Sequence, residues 1–344
     1  MIMRLASILV LTLVSFVAAA QNFESAVEYM DFFSSRSQQL SENYLSYMSE
    51  FAHGKRARKL EKRRSELIAS IRKALNDATR VKPFKGDATL RDAYKRYWDI
   101  ELKVFNEDYH KIVDMEEIAE QSYDAMEAYL LAQDKASEVL ALAQDQISPI
   151  LKAFAISNKI NLVDGGDSKM SKKLQQVSAV SIYHRQVYLI FFKTYKQEGY
   201  ATEAWNKKDI NSLEQNRTTL IRFVDEGLAR LDTMRAFQGD GSLVTACRKM
   251  LEFQKSEGEK DIPLQREFLV KSNEFEKIKK AFDSKPADQR TSADVDQYNK
   301  AVNEMNASIN ASNKSLQSMS ANQAKLLNNW NDTEKRFLDS HVPH

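Results

Sequence analysis

Two residue pairs carry the spacing that bundle proteins use to hold metal: Glu50 with His53, and Glu107 with His110. A Glu-x-x-His step puts a carboxylate and an imidazole on one helical face, as in carboxylate-bridged di-iron bundles. Facing argues against it here. At 100° per residue, His53 falls roughly 150° from the apolar stripe of its helix, and Glu107 is turned away from the stripe through Phe105, Tyr109 and Ile112. The second half of the chain has no counterpart of either pair. These four residues are the candidate metal ligands, and the expectation is that no metal or cofactor is bound.

Lys55, Arg56, Arg58, Lys59, Lys62, Arg63 and Arg64 form the sharpest charge run and open the second helix, where the macrodipole disfavours cations. Two roles are open to them. They can be balanced internally by Glu107, Asp108, Asp114, Glu116, Glu117 and Glu120 at the same end of a bundle. Alternatively they can bind an anionic partner such as a polysaccharide, lipid head group or cell-wall polymer.

The remaining reactive side chains read as core. Tyr94, Tyr97, Trp98, Phe105 and Tyr109 keep helical spacing, which favours packing over a ligand groove. Cys247, the only cysteine, falls on a packed face in the place of Tyr94 and so acts as a small hydrophobe. Nothing matches a nucleophile elbow, a phosphate loop, a zinc-protease helix or a dinucleotide fingerprint.

The elements that must position these residues are helices. Nine Gly and five Pro in 344 residues, with 28% charged, make an all-α chain with long solvated faces. Residues 1–20 read as a secretory signal peptide: Arg4, an apolar run from Ile8 to Val17, then Ala18 and Ala20 before a mature start at Gln21. No Cys stands there to take a lipid, and no later stretch reads as a membrane span. The formal charge of +2 argues against a dedicated nucleic-acid binder.

A turn is written twice. Phe84, Gly86, Asp87, Leu90 and Ala93 recur 153 positions later as Phe237, Gly239, Asp240, Leu243 and Ala246. From Arg64 and Arg217 onward, nine of thirty aligned positions are identical, against roughly two by chance. The reading is a duplicated up-and-down bundle, with halves 21–163 and 169–344 and a linker at 164–168 around Gly165 and Gly166. Tyr188, Phe191 and Phe192 match Tyr29, Phe32 and Phe33 at an offset of 159, which implies a six-residue change in loop length. The fourth helix shows two heptad rows, one through Ile118, Ala125, Ala132 and Val139 and the other through Ser122, Tyr129, Ala136, Ala143 and Ile150. The last helix repeats Val295, Val302, Ile309, Leu316, Gln323, Trp330 and Phe337 every seven residues over a rod on the order of 65 Å. Ser312, Gln323 and Thr333 interrupt its apolar rows, either to set register or to meet water.

The stretch IVDMEEIAEQSYDAMEAY from Ile112 to Tyr129, with YLIFFK from Tyr188 to Lys193, resembles a family of uncharacterised secreted or surface proteins of spirochaetes and Bacteroidetes. That resemblance implies an exported helical protein and brings no activity or site residues. The expected function is therefore binding or an envelope role without catalysis, in the periplasm, at the cell surface or outside the cell. A metal-binding bundle and a helical adhesin or membrane-active protein are the alternatives.

Overall fold

The computed structural model describes residues 23–53, 57–162 and 169–343. Among them the chain is all-α, with no strand. The first half contains α1 (Ala26–Ala52), α2 (Glu61–Arg80), α3 (Thr89–Lys103), α4 (Tyr109–Ala119), α5 (Tyr123–Asp145) and α6 (Ile147–Ser157). The second contains α7 (Lys169–Asn206), α8 (Ile210–Thr233), α9 (Ser242–Ser256), α10 (Ile262–Ser284) and α11 (Ser292–His341). The signal-like segment 1–20, Lys55, Arg56 and the linker 164–168 lie outside the described residues.

Helix ends follow local chemistry. Ser122 Oγ accepts from Ala125 N at 3.1 Å and starts α5, so the third helix runs on to Ala119 and Ile118 belongs to α4, half exposed. A break at Gln146 puts Pro149 in the first turn of α6, where its missing N–H costs nothing. Thr291 and Asp294 form a reciprocal capping box that opens α11, whose 50 residues span about 75 Å.

The repeated turn is tighter than a helix ending. α2 stops at Arg80, before Pro83, and the chain then folds back through paired hydrogen bonds between Phe84 and Asp87 of 3.0 and 2.9 Å. Lys85 and Gly86 have φ of 49° and 87°; Gln238 and Gly239 repeat this at 50° and 91°. Two successive positive φ angles explain a Gly that has no helix to cap. Asp87 Oδ1 accepts from Thr89 N, and Asp240 Oδ1 from Ser242 N, both at 2.8 Å.

A second device also recurs at the 153-residue spacing. A π-helical turn at Val104–Asp108 joins α3 to α4, and one at Glu257–Asp261 joins α9 to α10. Each wide turn frees a carbonyl from the α pattern. Arg64 donates to the Phe105 carbonyl, and Arg217 Nη1 to the Gly258 carbonyl at 3.2 Å. Glu61 and Glu214, three residues earlier, hold the two guanidinium groups in place. Gly258 is required by approach, since a Cβ there would stand 2.7 Å from Ile221 Cγ1.

The registers of α1 and α7 correspond differently from the sequence expectation. Tyr183, not Tyr188, takes the place of Tyr29. Tyr29 packs on Phe84 and Phe154 with ring centroids 5.4 and 5.6 Å apart, and Tyr183 on Phe237 and Phe337 at 5.2 and 5.7 Å. The offset is therefore 154, one residue from that of the turn, because contact with the turn's Phe fixes the register and an aromatic pattern alone does not.

α7 joins the halves. It packs on α1 and α5 on one side and on α8, α9 and α11 on the other, and one contiguous apolar core runs through both halves. Of the polar breaks in α11, Ser312 and Thr333 are buried and Gln323 is half-buried. Ser312 Oγ donates to Gln265 Oε1 at 2.5 Å, Gln265 Nε2 returns to the Ser312 carbonyl at 3.2 Å, and Gln323 Nε2 donates to Glu198. Glu198 also accepts from Gln254 Nε2 at 2.8 Å and shares a hydrogen bond with Glu257 of the π turn. Burial pushes both carboxyls above the usual range, and the neighbouring Glu198 charge raises Glu257 further. In the first half, burial likewise pushes Glu101 up to about 7.

The sequence expectation that no later stretch is apolar enough to span a membrane is corrected on length and composition. The helical stretch Tyr123–Ser157 qualifies, with mean hydropathy 1.2 over a window that is 22% buried. Leu131, Leu142 and Ile156 are its exposed apolar side chains.

Asp87→Ala removes one cap hydrogen bond and is expected to cost about 1 kcal/mol in urea unfolding. Asp240→Ala should cost more, because Asp240 also meets His341 Nε2 at 3.0 Å. The buried dyad gives a pH signature. Above the ordinary carboxylate range the folded chain retains a proton that the unfolded chain has released, so stability falls as pH rises, by about 1.4 kcal/mol per pH unit per proton. Glu257→Gln mimics the protonated acid and should flatten that decline in thermal melts from pH 5 to 9.

Candidate binding cleft

A cleft of about 870 Å³ is lined from α1, α4, α5, α7 and α11. It lies beside α7, which packs on α1 and α5 on one side and on α11 on the other and contributes Ser181, His184, Arg185 and Tyr188 to the lining. Apolar lining comes from Met48, Met126, Leu130 and Leu338, and aromatic lining from Tyr109, Tyr129 and Tyr188.

Polar groups converge on this space. Arg185 is largely buried; its Nη1 donates to the Leu130 carbonyl at 2.9 Å and pairs with Asp134. Desolvation lowers its proton affinity below the usual guanidinium value, with Asp134 opposing the shift. Burial pushes the phenols of Tyr109, Tyr129 and Tyr188 up, so all three remain neutral donors. Tyr109 hydrogen-bonds with Ser137 and Tyr44. Tyr129 donates to Glu116, a contact that adds to its upward shift. At the opening, His184 Nε2 lies 2.6 Å from Glu334 Oε1, and the His184 ring stacks on Tyr188 at 5.7 Å.

Of the metal candidates, His53 lies in the cleft and the others do not line it. Its Nδ1 is 2.6 Å from the Ser49 carbonyl and its Nε2 3.7 Å from Asp339 Oδ1. The face of α1 that pointed away from its own stripe is thus covered by the far end of α11, which sequence periodicity in α1 cannot reveal. Glu50 pairs with Arg63, and Glu107 and His110 are exposed. Among the described residues no group of three or more His, Cys, Asp or Glu side chains is placed to hold a metal ion.

The cationic run is dispersed. Arg64 is buried in its structural role, Arg63 contacts Glu50 and the Ser46 hydroxyl, and Lys62 lies 3.9 Å from Glu66. Lys59 is exposed, and the side chain of Arg58 is outside the described set. Cys247 is fully buried, with Sγ 4.0 Å from the Val187 carbonyl, and burial pushes its thiol up, away from nucleophile chemistry.

Sequence reading missed Gln133, Arg185, His184, Tyr188 and Glu334. For Gln133 the cause is a row displaced by one residue. The buried face of α5 is Met126, Tyr129, Gln133, Ala136, Leu140 and Ala143. The row through Ala125, Ala132 and Val139 sits at its edge, half buried. A polar residue in the correct row would have been the signal.

No family model matches the chain, and no curated protein or solved structure is significantly similar to it.

Arg64→Gln strips the Phe105 carbonyl and Glu61 of their partner and is expected to cost about 2–3 kcal/mol. Lys59→Gln, on the exposed side of the run, should change stability by less than about 0.5 kcal/mol in the same urea titration.

Proposed function

We propose that the chain is an exported, all-helical binding protein that holds a ligand in the cleft between α1, α4, α5, α7 and α11 and acts without catalysis. The observation that carries this reading is the cleft itself, about 870 Å³ with apolar and aromatic wall from Met48, Met126, Leu130, Leu338 and three tyrosines, ringed by many polar and charged side chains. That size and lining suit an organic ligand. Export rests on the signal-like residues 1–20, and a periplasmic or surface address follows from the same segment. Anion binding by the cationic run has less support, since Arg63 and Arg64 are engaged within the protein.

We further read the two halves as products of a duplication. The shared positive-φ turn, the paired π turns and the Arg64 and Arg217 braces at one spacing support it. In that reading the cleft arose where the two copies were joined, which explains why neither half has it alone.

Ser181→Trp tests the cleft, because Ser181 lines it from α7. Wild type and variant are exposed to an envelope extract of the source cells, repurified and denatured, and the released small molecules are compared by mass spectrometry. A species released by wild type at near-stoichiometric amount and absent from a folded Ser181→Trp protein is expected. Equal release from both would reject the cleft as the site.

A further inference from the structure

The cleft is acid-rich in a chain that is not. The sequence has a formal charge of +2, yet among the described residues five carboxylates line this one space: Glu116, Glu117 and Glu120 from α4 and its end, and Glu334 and Asp339 from α11. Two fixed cations join them, and each already faces an acid. Arg185 pairs with Asp134, which is not part of the lining, and Lys335 pairs with Asp339. His184 and His53 lie against Glu334 and Asp339 and offset their charge only when protonated. The lining is therefore negative.

The aromatic groups stand among these acids. Tyr129 of α5 hydrogen-bonds with Glu116, and the charges of Glu334 and Glu120, from different helices, both act on the Tyr188 phenol of α7. Burial keeps these phenols and that of Tyr109 in the neutral form. A neutral ring presents a negative face, which attracts a cation. Met48 and Met126 add polarisable apolar surface.

Such a wall selects by charge. An anion would be repelled, and an uncharged apolar ligand would strip water from the carboxylates and give them no partner. One ammonium group would leave most of the acid excess standing. Two or more on an alkyl chain meet carboxylates of both α4 and α11, and the methylenes lie on tyrosine and methionine.

We propose that the cleft binds a polyamine-type organic cation, its ammonium groups on the carboxylates of α4 and α11 and its alkyl chain against the tyrosines. This rests on the cleft being the ligand site and adds the class of ligand.

The test is calorimetric titration of the full mature chain with spermidine, butylamine and triethylene glycol at low and at physiological ionic strength. Spermidine should bind at least tenfold more tightly than butylamine and weaken as salt rises. Triethylene glycol, an uncharged chain of similar length, should not bind. Glu120→Gln with Glu334→Gln removes one carboxylate from each helix and should weaken spermidine at least tenfold. Glu274→Gln with Asp288→Asn removes the same charge from exposed positions outside the lining and should leave the affinity within twofold. If both double variants lose affinity equally, or neither does, the cleft carboxylates do not recognise the ligand and the proposal is overturned. Butylamine or triethylene glycol binding as tightly as spermidine overturns it too. If the Glu120→Gln, Glu334→Gln protein does not fold, Ser181→Trp takes its place and must lose spermidine. Should spermidine not bind while wild type still carries a molecule that Ser181→Trp lacks, the cation assignment falls and the binding reading stands.

Discussion

α7 packs against helices of both halves, and the rest of the molecule is arranged around that constraint. Val177, Val180, Val187, Ile190 and Phe191 are buried along it, and Thr194, Gln197 and Glu198 continue the buried surface toward its C-terminal end. Polar side chains on these packed positions cannot turn to water, so each needs a protein partner. Arg185, Gln197 and Glu198 find theirs on α5, α8, α9 and α11. The requirement ties two halves of the chain into one core, with the cleft beside α7 where α5 and α11 both contribute to the lining.

α11 meets the opposite demand. It is polar enough to survive alone in water, yet its Ser312, Gln323 and Thr333 are drawn inward. Buried polar contacts add little net stability against a well-packed apolar core but penalise any shift that breaks them. The pairing of Ser312 with Gln265 and of Gln323 with Glu198 therefore fixes where a 50-residue rod sits along its neighbours. Apolar heptads alone would allow it to slide by a turn.

Much of the fold was legible because burial imposes period on sequence. The stripes of α1 through α3, the stop before Pro83 and the doubled turn all follow from one-helix rules. The site was not legible, for a physical reason: its groups come from helices far apart in sequence, and each looks ordinary on its own helix. Gln133 hid behind an alanine row that mimicked a seam. Glu198 and Glu257 were findable only by laying one half over the other, where they replace Tyr44 and Val104, two packed positions, with carboxyls. His53 was misplaced because the helix that covers it, α11, lies nearly three hundred residues downstream.

The π turns have a consequence of their own. Adding one residue to a helical turn rotates everything beyond it by about 100° while the axis continues almost unbroken. At Val104–Asp108 and Glu257–Asp261 the chain uses this as a phase shifter. α3 packs mainly on α2 and α4 on α5, while α9 packs on both α8 and α11 and α10 mainly on α11. One continuous rod thus changes the side chains it offers its neighbours without a loop, and the guanidinium of Arg64 or Arg217 acts as the latch that keeps the turn in place.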